Sequence, residues 1–77
     1  MIKLAENWAE YLMQKPETGM GYQIVTIKLK NNEIYKQVVI QGCYITQVRT
    51  YFEIPFKEVD IAEIILSHEK WNFNAER

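Results

Sequence analysis

One histidine, one cysteine and a scatter of carboxylates are the side chains here that could carry a reaction, so their spacing decides whether an active site can be read. His68 stands between Glu63 and Glu69, close enough in sequence for acid–base work. No second histidine or cysteine lies at ligand spacing to make a metal site of it. Carboxylates so placed are also what a solvated acidic surface presents, and a small hydrolase built on His68 is the weakest reading of them. Cys43 follows a turn in an apolar stretch with no base beside it, which suits a small buried hydrophobe better than a thiolate. Glu58, Asp60 and Glu63 are close enough to pair as acid and base, but so short a chain offers little depth for shifting a carboxylate pKa. The expectation is a protein that is not an enzyme and holds no metal and no cofactor.

Residues 18–25, TGMGYQIV, raise a second chemistry, because glycine-rich loops cradle phosphates. Such a loop follows a strand and opens a helix, so that backbone N–H groups and the helix dipole face the anion. Here the order is reversed: the glycines follow a helical pattern and precede an extended one, and no Lys-Ser/Thr comes after them. They read as a helix-to-strand connector in which Gly19 supplies a positive φ.

The elements that must position any site are few. A chain of 77 residues holds one domain, and at that size folding buries only about 60% of the surface the unfolded chain exposes. Its core is therefore thin, although 48% hydrophobic and 25% charged residues are the proportions of a folded globular domain. A single cysteine excludes an internal disulfide framework and fits a reducing, cytoplasmic location. The opening MIKLAENWAEYL carries acids where a signal peptide needs an uninterrupted apolar run. No stretch approaches the ~20 apolar residues of a membrane span, so a soluble chain without membrane partners is expected. Charge is uneven: residues 21–50 set Lys28, Lys30, Lys36 and Arg49 against Glu33, while residues 51–77 carry six acids against three bases. A surplus of that size falls short of the strongly basic patch that nucleic-acid binding shows.

Leu4, Trp8, Tyr11 and Leu12 recur at helical spacing and predict an amphipathic helix over about 3–14. It must stop near Gln14, because the residue before Pro16 is biased away from helical angles. A loop over 15–20 follows. Alternation then predicts strands over about 21–30, 33–40 and 43–49. Asn31-Asn32 is read as a two-residue turn that sets Lys30 opposite Glu33, Leu29 opposite Ile34 and Lys28 opposite Tyr35. Gln41-Gly42 makes the second turn, and alternation fails near Gln47. Residues 55–60 read as a short turn entered at Pro55. Residues 61–67 favour a strand through their isoleucines, with a helix as the alternative because Ile61 and Ile65 stand four apart. The polar tail from Ser67 is expected to fold back only through Trp71 and Phe73.

Those pairings put Val25, Ile27, Leu29, Ile34, Val38, Ile40 and Ile45 on one sheet face and Tyr22, Ile24, Tyr35, Val39, Tyr44 and Val48 on the other. Both faces are apolar, so the second needs cover from the helix stripe Leu4, Trp8 and Leu12, from another subunit or from a ligand. The candidate binding residues are Tyr22, Lys28, Tyr35, Tyr44 and Arg49. Tyrosines with an apolar ring and a polar tip suit a protein partner or a homo-oligomer. The alternative is weak single-stranded nucleic-acid binding, with bases stacked on Tyr22, Tyr35 and Tyr44 and phosphates held by Lys28, Lys36 and Arg49. The fold class is α+β, a helix packed on a strongly bent antiparallel sheet or small barrel.

The hairpin VTIKLKNNEIYKQVVI, followed by EIPFKEVDIAEIIL as a short turn into a last strand, resembles the small SH3-like and Sm-like barrels. That resemblance implies a small barrel, and in the Sm-like case RNA binding. The glycine of the second strand and the Asp/Asn pair that would hold RNA bases have no counterpart at Gln37 or in QGCYIT. TGMGYQIV and IPFKEVDI are also similar to stretches of short bacterial proteins without an assigned activity, which imply none here.

Overall fold

The computed structural model describes residues 1–69; the expectation that Trp71 and Phe73 fold back lies outside the described residues. Its elements are β1 (Ile2–Lys3), α1 (Glu6–Met13), β2 (Gln23–Leu29), β3 (Ile34–Gln41), β4 (Tyr44–Val48), a 3-10 turn (Glu58–Asp60) and β5 (Ile61–Leu66). The strands form one antiparallel sheet in the order β1-β4-β3-β2-β5, curled into a half-barrel. The α+β class and the three-stranded meander stand as expected, and 61–66 is a strand; the helix begins at Glu6 and not near residue 3, because Ile2 and Lys3 pair with β4 and Ala5 is extended. Strand β1 was not legible: two residues carry no period.

The first turn departs from expectation by one residue. Leu29 N–H donates to Glu33 O at 2.8 Å and Asn32 N–H to Leu29 O at 2.9 Å, so Lys30, Asn31 and Asn32 form a three-residue loop. Asn32 takes φ 73°, the left-handed position that closes such loops. Asn31 Oδ1 accepts from Glu33 N–H at 3.0 Å and fixes the bend. Lys28 therefore faces Ile34 and Ile27 faces Tyr35, in place of the Lys28–Tyr35 and Leu29–Ile34 pairs. A one-residue slip moves side chains to the other face: Tyr35 turns to the inside, and Ile34 turns out with 57% of its surface exposed.

Bulges then restore the inward apolar set. Between Tyr35 and Val38 strand β3 carries one residue more than β2, with Gln37 at φ 56°, so Val38 again shares the inner face with Val25. In β4 the extra residue falls between Ile45 and Val48, where alternation was expected to fail near Gln47. Val48 thereby joins Val38 on the inside instead of the outer face assigned to it. The second turn also shifts, to Gly42-Cys43 between Gln41 and Tyr44, with Gly42 at φ 64°.

The main core gathers Leu4, Leu12, Val25, Ile27, Leu29, Val38, Ile40, Ile45, Val48, Phe56, Ile61 and Ile64, with Trp8, Tyr35 and Leu66 packed against it. Each such side chain contributes about 1.5–3 kcal/mol on burial. The helix stripe thus covers the face of Val25 and Ile27, not the face of Ile24 and Val39, which are buried apart from this cluster.

A helix of eight residues is marginal alone, and a side chain from the sheet finishes it. Gln23, the first residue of β2, is buried and points its amide nitrogen at the carbonyls of Leu12 (3.0 Å), Pro16 (3.2 Å) and Lys15 (3.3 Å). Those oxygens belong to the helix end and its exit, where carbonyls lack helical partners.

Candidate functional site

The candidate binding residues do not share one surface. Tyr35 lies on the inner face, its ring 5.2 Å from that of Phe56 and 5.7 Å from that of Tyr51. Partial burial first, then the charge of Glu33 and the neighbouring Tyr51, push its phenol above the ordinary tyrosine value. Tyr44 lies opposite Gln41 and Lys3, on the outer face at the β1 side of the sheet. Tyr22 bridges back to Gly19 in the connector, and its ring fills the space that a side chain on Gly19 would need. The positive φ of the connector belongs to Gly21 (81°) rather than Gly19. Lys28 sits mid-sheet between Ile34 and Glu63. The Arg49 guanidinium donates to Gln37 Oε1. The tyrosine-rich face is thus one outer sheet position, one ring in the connector and one ring packed against the core.

His68, without a partner legible in sequence, meets one fifty residues away: its Nδ1 lies 2.6 Å from Thr18 Oγ1. A hydroxyl at that distance from an imidazole has the spacing of a nucleophile and its base. Thr18 Oγ1, however, also accepts Ile24 N–H at 2.8 Å, while Ser67 N–H (3.2 Å) and His68 N–H (2.9 Å) both donate to Ile24 O. The pair therefore pins the connector and the exit of β5 to the start of β2, and neither groove described below is lined by it. Cys43 is half-buried in its turn. Among the described residues no group of three His, Cys, Asp or Glu side chains gathers in a way that could hold a metal ion. No helix among them is long and apolar enough to cross a membrane.

A well-formed concavity lies elsewhere. Strand β1, the end of β4 and residues 50–57 enclose a groove of about 570 Å³, within the size range of ligand-binding sites. Ile2, Val48, Ile54 and Phe56 are its better-buried lining, and Thr46, Gln47, Thr50, Glu53 and Lys57 supply its polar groups. Three apolar side chains line the same groove from solvent: Met1, Tyr51 and Phe52, the last fully exposed.

The loop that carries Phe52 is built at a cost. Val48 O accepts Tyr51 N–H at 3.1 Å, and this tight turn holds Thr50 at φ 69°. A β-branched residue at positive φ is an outlier that costs of order 1–3 kcal/mol. Behind the turn, Tyr51 stands edge-on to Tyr35, whose ring packs at a tilt against Phe56. Asp60 accepts Lys57 N–H at 3.1 Å and fixes the loop's far end. The loop thus displays a bare phenylalanine.

Sequence reasoning passed over Phe52 because a lone aromatic reads as core, and passed over the groove because its walls, residues 1–2 and 46–57, are far apart in sequence. A second groove, of about 240 Å³, lies under the end of α1 beside Gln23 and Gly42. No family model, curated protein or solved structure matches the chain.

Proposed function

We propose that this chain is a non-enzymatic interaction module that takes an apolar protein surface into the groove of β1, β4 and residues 50–57. The observation that carries the reading is Phe52, fully exposed, with Met1 and Tyr51 exposed beside it on one groove of about 570 Å³. Exposed apolar side chains clustered around a concavity favour a docking site, whereas scattered ones would need no explanation. The groove's polar groups, two threonines, Gln47, Glu53 and Lys57, can orient a ligand but form no nucleophile–base pair. The binding face is therefore this groove, in place of three tyrosines on one sheet face. The meander and the 3-10 turn into β5 support reading the half-barrel as a member of the small SH3-like class.

The test is selection of random displayed peptides on the intact protein, followed by amide NMR of the best binder. Shifts confined to Thr46–Thr50 and Ile54–Lys57, lost in Phe52→Asp, are the expected result. Shifts confined to Tyr22, Lys28 and Tyr44 on adding a single-stranded oligonucleotide at low salt, with no peptide selected, would replace this reading with the nucleic-acid one.

A further inference from the structure

We infer that the groove's occupant is a second copy of this chain, joined across a two-fold axis so that Phe52 of each copy enters the groove of the other; this rests on the interaction reading above. A two-fold interface uses one patch on both partners, so that patch must carry both a projection and a recess to receive it. Here it does: Phe52 projects fully into solvent from the wall of the groove whose interior is lined by Val48 and Phe56. Because knob and hole share one patch, the arrangement closes at two copies instead of continuing into a filament.

The charges of the groove are self-complementary in the same sense. Glu53 and Lys57 are its two charged lining side chains, one acid and one base flanking Ile54 and Phe56. A two-fold axis through the patch sets Glu53 of each copy towards the partner's Lys57, which fixes register and disfavours a shifted pairing. The area is also sufficient. Phenylalanine buries about 150–250 Å², so the two Phe52 rings alone supply a third to a half of the roughly 1,000 Å² that a specific interface needs. Met1 and Tyr51 of both copies extend it. A standard interface of about 800 Å² per partner takes roughly a sixth of the 5131 Å² surface of the chain, and it gives a thin-cored domain apolar contact that its own length does not provide.

The experiment is sedimentation equilibrium of the full chain across a range of concentrations, against the 9.2 kDa monomer mass. The expected result is a reversible dimer whose Kd rises at least tenfold in Phe52→Asp, in Glu53→Lys and in Lys57→Glu, and returns to within threefold of the parent in the double charge reversal. Circular dichroism and thermal melting below the Kd keep folding separate from association, since all three side chains are exposed. A chain that stays monomeric at millimolar concentration overturns the dimer. If that monomer still binds selected peptides in the groove, the interaction reading survives alone. A dimer indifferent to all three substitutions overturns the groove as its interface, and failure of peptide selection overturns the interaction reading.

Discussion

The buried amide of Gln23 donates to the carbonyl oxygen of Leu12 at 3.0 Å and so joins the first residue of β2 to the last turn of the helix. The same nitrogen faces Lys15 O and Pro16 O; with two hydrogens it serves two of the three at a time. The helix has no side-chain N-cap and no basic residue in its last turn, so this amide is the side-chain hydrogen bond that secures its end.

Gln23→Leu keeps similar bulk and removes the amide from the helix end, while Leu12 O keeps its bond from Lys15 N–H, so a loss of about 1 kcal/mol is expected. Urea denaturation is expected to show a lower midpoint with an unchanged slope. Amide exchange should rise first over Glu6–Met13.

Thr50→Gly relieves the positive φ of a β-branched residue, and stability is expected to rise by about 1 kcal/mol. Thermal melting reads this directly, at roughly 4–8 °C per kcal/mol for a domain of this size. A fall in melting temperature would mean that the threonine side chain contributes more than its backbone strain costs.

Tyr35 gives a signed pH dependence. Its phenol titrates above the ordinary 10.0 in the folded chain, through burial, Glu33 and Tyr51 in that order. The folded state therefore holds the proton more tightly than the unfolded one, so the stabilisation is complete below pH 10 and is lost as pH climbs through the folded value. Melting temperature is expected to fall above pH 10 in the parent, and less steeply in Tyr35→Phe. Equal slopes in the two proteins would remove Tyr35 as the cause.

Thr18→Val retains the shape of Thr18 but deletes the acceptor of Ile24 N–H and the partner of His68 Nδ1. A loss of about 1–2 kcal/mol is expected, in keeping with an amide left unpaired. His68→Ala, at an exposed ring, should cost less than half of that. A larger loss in His68→Ala than in Thr18→Val would overturn this account of the joint.

What could be read in advance was local. The spacing of Trp8 and Leu12, the alternation of Val25, Ile27 and Leu29, and the residue before Pro16 each report on their own few neighbours, and the elements they predict are present. Register was not local in this sense. Asn31-Asn32 suits a two-residue and a three-residue loop equally, and the choice between them moved Tyr35 inward and Ile34 outward. The bulge at Gln37 carries no sequence mark, because glutamine is rarely the residue chosen for positive φ. The roles of Gln23 and Phe52 depend on chain segments that meet only in three dimensions. A glutamine opening a strand reads as a surface residue until the helix end is placed over it.

Strand β2 also sets a constraint on synthesis. It lies between β3 and β5, and Val25 finds its partner Leu66 only across most of the described chain. As the polypeptide leaves the ribosome, β3 can pair with β2, and β4 with β3, early, while the other edge of β2, QIVTIKL, waits open. Contacts so distant in sequence form slowly, and an apolar open edge is a template for wrong pairing. The half-made protein is therefore at its most vulnerable just before β5 emerges, and a chaperone that shields extended apolar segments would have its work there.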